Sequence, residues 1–573
     1  MAFSFRRTTG LPKALLATTT LVSLLPLCGH ALAADQMQIM ERQIQAMQAQ
    51  LSSMKKEHAE EVKRARAVLA HQREEAENNP YGQRSKMIGR PQSDSKIHTG
   101  GITIASMLAP PQTASTPYGQ ITGTPPAHSS LYGPLRRGQI QVGGVRITLG
   151  GFAEAATMFR SRNTASDIST GFNAIPWGNN AAYHMNEFHQ SERQSRLAAL
   201  VEGKITSKLE ADAYVETDFQ GAGSASNSRQ SNSYVLRARL FYGELKDQAD
   251  DLQILGGQNW SLITMFNKGM SARDEQIPLS IEAQYVPGFN WTRNSQVRIV
   301  KGFDNSRYHV GLSIENPSAV PTGTPYEPTG TTVTYKESGA NVNNPDTYYA
   351  TDVAPDIVTK FAADPGWGHY EVTGVMRFLH DRTSVLGGGQ SHTSVAGGGG
   401  GALLLPLIKD KLYFQASGLV GVGIGRYGTS NIPDYSFNQN GSPHPLPEAN
   451  VLLGLYGNPV KALTLYGYVG AETVRSRAAY NVNGKAYGYG NPLYNMSGCN
   501  TELSSLCAAS GNVRTVAQAT TGFWYNAFKG NYGTVRVGAQ YSYTYVEAFS
   551  GVGGTPHTDD NMVFLSFRYM PFN

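Results

Sequence analysis

The stretch Tyr234-Val235-Leu236-Arg237-Ala238-Arg239-Leu240-Phe241-Tyr242-Gly243 decides the fold. Successive side chains of a strand point to opposite faces. Tyr234, Leu236, Ala238, Leu240 and Tyr242 therefore share one face, and Val235, Arg237, Arg239 and Phe241 the other. Two arginines point one way and an aromatic-ended apolar row points the other. In a soluble sandwich the apolar row is the core. In a barrel set in lipid it looks outward and the arginines line water.

Working outward from this stretch, the same alternation recurs through residues 140–573, with no run apolar enough for a membrane helix. Strands are predicted near 147–160, 193–206, 208–219, 234–245, 251–258, 294–302, 306–315, 355–363, 367–380, 400–409, 411–426, 448–458, 461–475, 512–528, 532–547 and 561–572. That is about sixteen, an even number as bacterial single-chain barrels require. Short turns fall at Thr206-Ser207-Lys208, Asp304-Asn305-Ser306, Asp364-Pro365-Gly366, Lys409-Asp410-Lys411, Asn458-Pro459 and Lys529-Gly530-Asn531, and long Gly/Ser/Asn/Pro-rich loops are expected at every other connection. A barrel inserted from the periplasm has that asymmetry, with short turns inside and long loops outside. The expected fold is an all-β transmembrane barrel of antiparallel strands. The Gly-rich runs 387–389 and 397–401 lack the strand-loop-helix context of a phosphate loop and read as flexible loop.

Composition agrees. The chain is 40% hydrophobic and 16% charged, with 62 Gly and 30 Tyr, which suits extended strands and aromatic girdles better than a soluble multidomain protein. Of its net charge of +5, Arg6, Arg7 and Lys13 leave with residues 1–33, which have the basic start, apolar stretch and Ala31-Leu32-Ala33 site of a signal peptide. The near-neutral remainder gives no support to nucleic-acid binding. Residues 34–78 contain no Pro or Gly and carry Met37, Met40, Ile44, Met47, Leu51 and Met54 at alternating three- and four-residue steps, the seam of a periplasmic α-helical coiled coil. A solvated single helix is the plainer alternative. Residues 79–139, rich in Pro, Ser and Gln, are a linker. Cys499 and Cys507, eight positions apart in an exported chain, read as a local disulfide. No metal or cofactor set accompanies them.

Several motifs resemble one family, the DcaP-like trimeric porins of bacterial outer membranes: Arg193-Gln194-Ser195-Arg196, Leu236-Arg237-Ala238-Arg239 with Tyr242-Gly243-Glu244-Leu245, Gly257-Gln258-Asn259-Trp260-Ser261, Pro355-Asp356-Ile357-Val358, Gly366-Trp367-Gly368-His369, and 421–427. The resemblance implies a homotrimeric channel with a coiled-coil periplasmic extension, taking up small, often anionic solutes such as dicarboxylates. Asn259 departs from the Thr of that pattern.

For a pore, inward-facing Arg196, Arg237, Arg239 and Arg298 would form a basic wall, and Glu210, Asp212, Glu216 and Asp218 an opposed acidic one. Mutual pairing of these charges is the simpler possibility. The third long connection, with Trp260, Phe266, Lys268, Arg273, Asp274 and Glu275, is the candidate constriction, and Phe572 the terminal aromatic that barrel-assembly machinery reads. No Ser/His pair stands in a catalytic frame, so an enzyme is not expected. A tether between the outer membrane and peptidoglycan, its barrel plugged, is the rival to a channel. The protein should run as a heat-labile, detergent-resistant trimer. Deleting residues 35–78 should weaken that assembly without abolishing it, and a monomeric full-length protein in native mass measurement would refute it.

Overall fold

The computed structural model describes residues 132–223, 232, 234–338 and 348–572, together with Lys63. The chain divides into two units, Met1–His98 and Thr99–Asn573, and the elements below belong to the second. The expected signal peptide and coiled coil, Lys63 apart, and the linker up to residue 131 lie outside the described residues.

Sixteen strands close into one barrel. The first eight are β1 (Val145–Arg160), β2 (Arg196–Lys204), β3 (Leu209–Gly221), β4 (Val235–Asp247), β5 (Leu252–Trp260), β6 (Arg293–Phe303), β7 (Tyr308–Glu315) and β8 (Asp356–Ala363). The rest are β9 (His369–Val385), β10 (Gly388–Ile408), β11 (Leu412–Val422), β12 (Pro447–Val460), β13 (Leu463–Val474), β14 (Val513–Gly530), β15 (Gly533–Ala548) and β16 (His557–Met570). Each pairs antiparallel with the next, and β1 pairs with both β2 and β16, which closes the wall. Every expected strand overlaps one of these. Outward rows such as Val310, Leu312 and Ile314 on β7 and Leu565 and Phe567 on β16 are exposed, while backbone polar groups pair around the wall. Only a closed barrel meets both demands in lipid.

Three details differ from the sequence expectation. Glu216 pairs with Leu240 but Thr217 with Ala238, so Arg239 is an extra residue in β4. A bulge of this kind inverts the alternation beyond it. Arg237 and Arg239 face inward, yet so do Leu240 and Tyr242, both buried, while Phe241 is 61% exposed on the outside. Second, the Gly-rich runs are not flexible loop. Residues 386–387 make a two-residue turn, and Gly397–Gly401 sit mid-strand in β10, so the fifth long-loop connection is short. A Cβ on Gly400 would lie 2.1 Å from the Gly418 oxygen on β11, a closeness only glycine permits. Third, Asn458-Pro459 is a register shift within β12, and the chain turns after Val460.

Cys499 and Cys507 are joined, with Cα atoms 4.7 Å apart, in the seventh long connection. This ring docks on the first: Leu503 N donates to Asn179 O at 2.8 Å, and Asn179 Nδ2 to Ser504 O at 3.0 Å. Closing so short a loop stabilises by about 2–3 kcal/mol in the chain-entropy model, and it does so locally. Reduction should leave barrel melting by circular dichroism nearly unchanged while making residues 498–507 protease-sensitive. A large fall in melting temperature would contradict this.

Candidate functional site

The connection 261–292 leaves the end of β5 and folds into the lumen. Its backbone is tied to inward side chains around the wall. Leu262 N donates to Glu315 on β7 at 3.0 Å, Phe266 N to Glu371 on β9 at 2.7 Å, and Gly288 N to Glu472 on β13 at 2.7 Å. Leu279 N donates to the Tyr468 hydroxyl at 3.1 Å, and Trp524 Nε1 donates back to Leu279 O at 2.8 Å. A Cβ on Gly470 would stand 2.0 Å from Pro287 O, so loop and wall backbones touch. Ile277, Leu279, Ile281 and Phe289 then join Leu240, Leu452, Trp524 and Phe564 of the wall in one buried cluster inside the barrel. The small inner faces of β10 and β11 make room for Ile263 and Met265, leaving a cavity of about 20 Å³.

Trp260 ends β5 and is buried with Tyr285 and Trp291, their ring centres 6.1 and 5.6 Å away. Phe266 lies under the Lys360 ammonium at 5.0 Å. Lys268 is exposed at the loop tip, where the neighbouring Gly269 N donates to Asp364 in the β8–β9 turn. It therefore stands at the short-turn mouth, away from the mid-lumen. Arg273 and Tyr285, with φ of 75° and 70°, hold a left-handed backbone unusual for non-glycine residues. Arg273 donates to the Tyr242 hydroxyl at 2.6 Å and lies 3.8 Å from Asp212. Next to it, Asp274 N donates to Ser271 O while its own carbonyl accepts from Asn267 N, closing the tip. Glu275 lies in the connection, outside the strands; burial pushes its carboxyl up to about 7 against the pull of Arg298. It carries less than a full negative charge near neutrality.

The two opposed charged walls are not found. Register sets Asp218 of β3 opposite Arg196 of β2 and Arg237 of β4, so acids and bases pair on one wall. Arg237 grips Asp218 through Nε and Nη2 at 3.0 and 2.7 Å, and Arg239 reaches Glu216 at 2.6 Å and Asp218 at 3.0 Å. Arg196 is 3.5 Å from Glu216. Lower down, Asp212 pairs with Lys246 at 2.8 Å, beside buried Glu210. Arg298 is buried on β6, its guanidinium over Phe266 at 5.9 Å.

Three more arginines extend this group, two of which, Arg293 and Arg536, sequence reasoning missed. Arg293 lies 5.0 Å from both the Trp260 and Trp291 rings. Arg536 of β15 sits directly across from Arg568 of β16. Arg568 reaches Glu154 at 2.9 Å and shares the Phe152 ring with Arg196. Among the described residues neither Arg293 nor Arg536 forms an ion pair. The strand alternation of β15 is the signal that would have found Arg536. Arg293 was obscured by its place at a loop boundary.

Breaking a buried ion pair by removing one partner costs roughly 3–5 kcal/mol. Arg239→Ala should therefore lower the urea midpoint of the refolded barrel strongly. Arg237→Ala, whose side chain is 36% exposed, should cost far less. Equal effects would show that the network is not organised around Arg239.

No protein-family model matches the chain, and no curated protein sequence matches it. Among solved structures, the outer membrane channel DcaP of Acinetobacter baumannii is similar at a TM-score of 0.53, with 15% identity over 74% of this chain and 97% of that one. An anion-selective porin from Comamonas acidovorans aligns at 0.40, with 11% identity over 74% and 99% of the two chains. OprB of Pseudomonas putida aligns at 0.40, with 12% identity over 74% and 94%. The chain is a sixteen-stranded transmembrane β-barrel that shares its fold with the DcaP channel.

Proposed function

We propose that this barrel is a porin of the Gram-negative outer membrane, its short turns in the periplasm and its constriction formed by residues 261–292, passing small hydrophilic solutes and favouring small anions such as dicarboxylates. The observation that carries the reading is the arginine arc. Arg536, Arg568, Arg196, Arg237, Arg239 and Arg293 follow one another around the wall, while the carboxylates they contact are Glu154, Glu216 and Asp218. Six positive charges against three leave a surplus in a narrow, poorly screened lumen, which filters by sign. Trimeric assembly is supported by the outer wall of β1–β5, where Ala153, Ala155, Ala199, Ala213 and Gly256 stand among exposed Leu197, Leu236 and Phe241, an apolar surface of hollows and knobs that a second wall can interlock with.

The rival reading, a plugged barrel that tethers the outer membrane to peptidoglycan, draws on the apolar cluster that fixes the connection across the lumen. Conductance separates the two. Ion-passing events in planar bilayers support the porin, and a silent, folded barrel supports the tether.

Arg293 and Arg536 test the filter without breaking the ion-pair network. At about 4 Å and an effective dielectric of 20, one charge pair is worth about 4 kcal/mol, enough to change a permeability ratio. Replacing both with Glu should move the reversal potential toward cation preference and slow dicarboxylate flux. A folded, conducting double variant with unchanged ion preference would show that the arc is not the filter.

A further inference from the structure

The outer wall of the barrel is not uniform. Across β11–β15 it sinks into a trough of about 540 Å³. Its floor is Gly467 and Ala519, flanked by Phe414 and Leu455 on one side and Tyr541 and Tyr543 on the other. These residues lie on two adjacent rows of the ladder, Phe414↔Leu455↔Gly467↔Thr521↔Tyr541 and Leu453↔Val469↔Ala519↔Tyr543. Small side chains mid-row between large ones make the hollow, and it opens onto the apolar band that lipid fills.

The rim beneath it is basic. The β10–β11 turn carries Lys409 and Lys411, the β12–β13 turn Lys461, and the end of β14 Lys529, all exposed, with Asp410 the carboxylate in the same turns. None of these lysines forms an ion pair among the described residues. Asn458 N donates to Lys411 O and Asn526 N to Ala462 O, both at 2.8 Å, so the turns are laced into one platform. Between β4 and β9 the sign reverses, those turns holding Asp247, Asp250, Asp251, Asp304 and Asp364, while the β2–β3 turn carries an exposed Lys208. Of the cations there, Arg307 pairs with Asp304 at 3.6 Å and Lys301 donates to the Asp250 carbonyl, while Lys268 stands exposed. Lys411 and Phe414 are three residues apart, roughly 10 Å along a strand, the step from headgroup to acyl chain.

We propose that this trough and its basic rim form a binding site for one anionic phospholipid of the periplasmic leaflet, with an acyl chain along the floor formed by Gly467 and Ala519 and the phosphate at Lys411 and Lys461. Charge complementarity selects this occupant. Apolar wall alone would take any lipid, whereas unpaired ammonium groups at headgroup depth discriminate by charge. The site rests on the membrane orientation given above and not on conduction, so a silent barrel that still retains the lipid would refute the porin and leave the site standing.

The full-length protein in detergent, titrated with dioleoylphosphatidylglycerol or dioleoylphosphatidylcholine and followed by native mass spectrometry, tests it. The wild type should retain the glycerol lipid roughly tenfold more strongly. Lys411→Gln with Lys461→Gln should erase that preference and leave phosphatidylcholine binding unchanged. Ala519→Trp, which fills the floor, should weaken both lipids. Heat-modifiable mobility confirms that each variant is folded. Equal retention of the two lipids by the wild type, or undiminished phosphatidylglycerol binding by both variants, would overturn the site. So would an Ala519→Cys protein whose copies crosslink to one another in membranes, because a second chain would then occupy the trough.

Discussion

An inward-facing carboxylate in a barrel wall must find hydrogen-bond donors or stay buried at high cost, and here the donors are backbone N–H groups of the connections. Glu315 holds Leu262, Glu371 holds Phe266 and Glu448 holds Ile424. Glu472 alone takes the N–H groups of Gly288, Thr429 and Ser430. The connections, whose own polar groups need partners once away from water, are thereby pinned to the wall. Most of the interior depends on this exchange. The lumen acquires an apolar core, and the arginines are left to share the few acids that remain.

This reverses the usual assumption about charges inside a barrel. Glu216 and Asp218 alternate along β3 like pore-lining acids, yet they serve to seat arginines from both neighbouring strands. The charge that the network leaves unneutralised lies on other residues. Arg293 and Arg536 stack on tryptophan faces without an ion pair among the described residues, so no carboxylate neutralises their charge directly.

Much of the wall was legible because its signals are local. Alternation and turn residues such as Asp304-Asn305-Ser306, which tolerate left-handed backbone, need only their neighbours to be recognised. The bulge at Arg239 was not legible, since nothing in Leu236–Tyr242 marks where one residue is skipped. Gly397–Gly401 carries no apolar alternation, so composition suggested flexibility where two neighbouring ladders supply the order. The candidate site was harder still. That the connection after β5 enters the lumen follows from its place in the chain, but its anchors at Glu371, Glu472 and Trp524 are set by register among strands that lie far away in sequence.

That connection also fixes an order of events. Most of its anchors beyond β6, from Glu315 to Trp524, lie C-terminal to it in the chain. A closed wall offers no lateral door through which a loop carrying Ile277, Leu279 and Phe289 could enter afterwards. The connection can reach its seats while the later strands are being laid down or through the long-loop end of the lumen, but its anchors are complete only once β7 to β14 are in place. The apolar core inside this barrel therefore waits on contacts that span long stretches of sequence, whose loop-closure entropy must be met before they form.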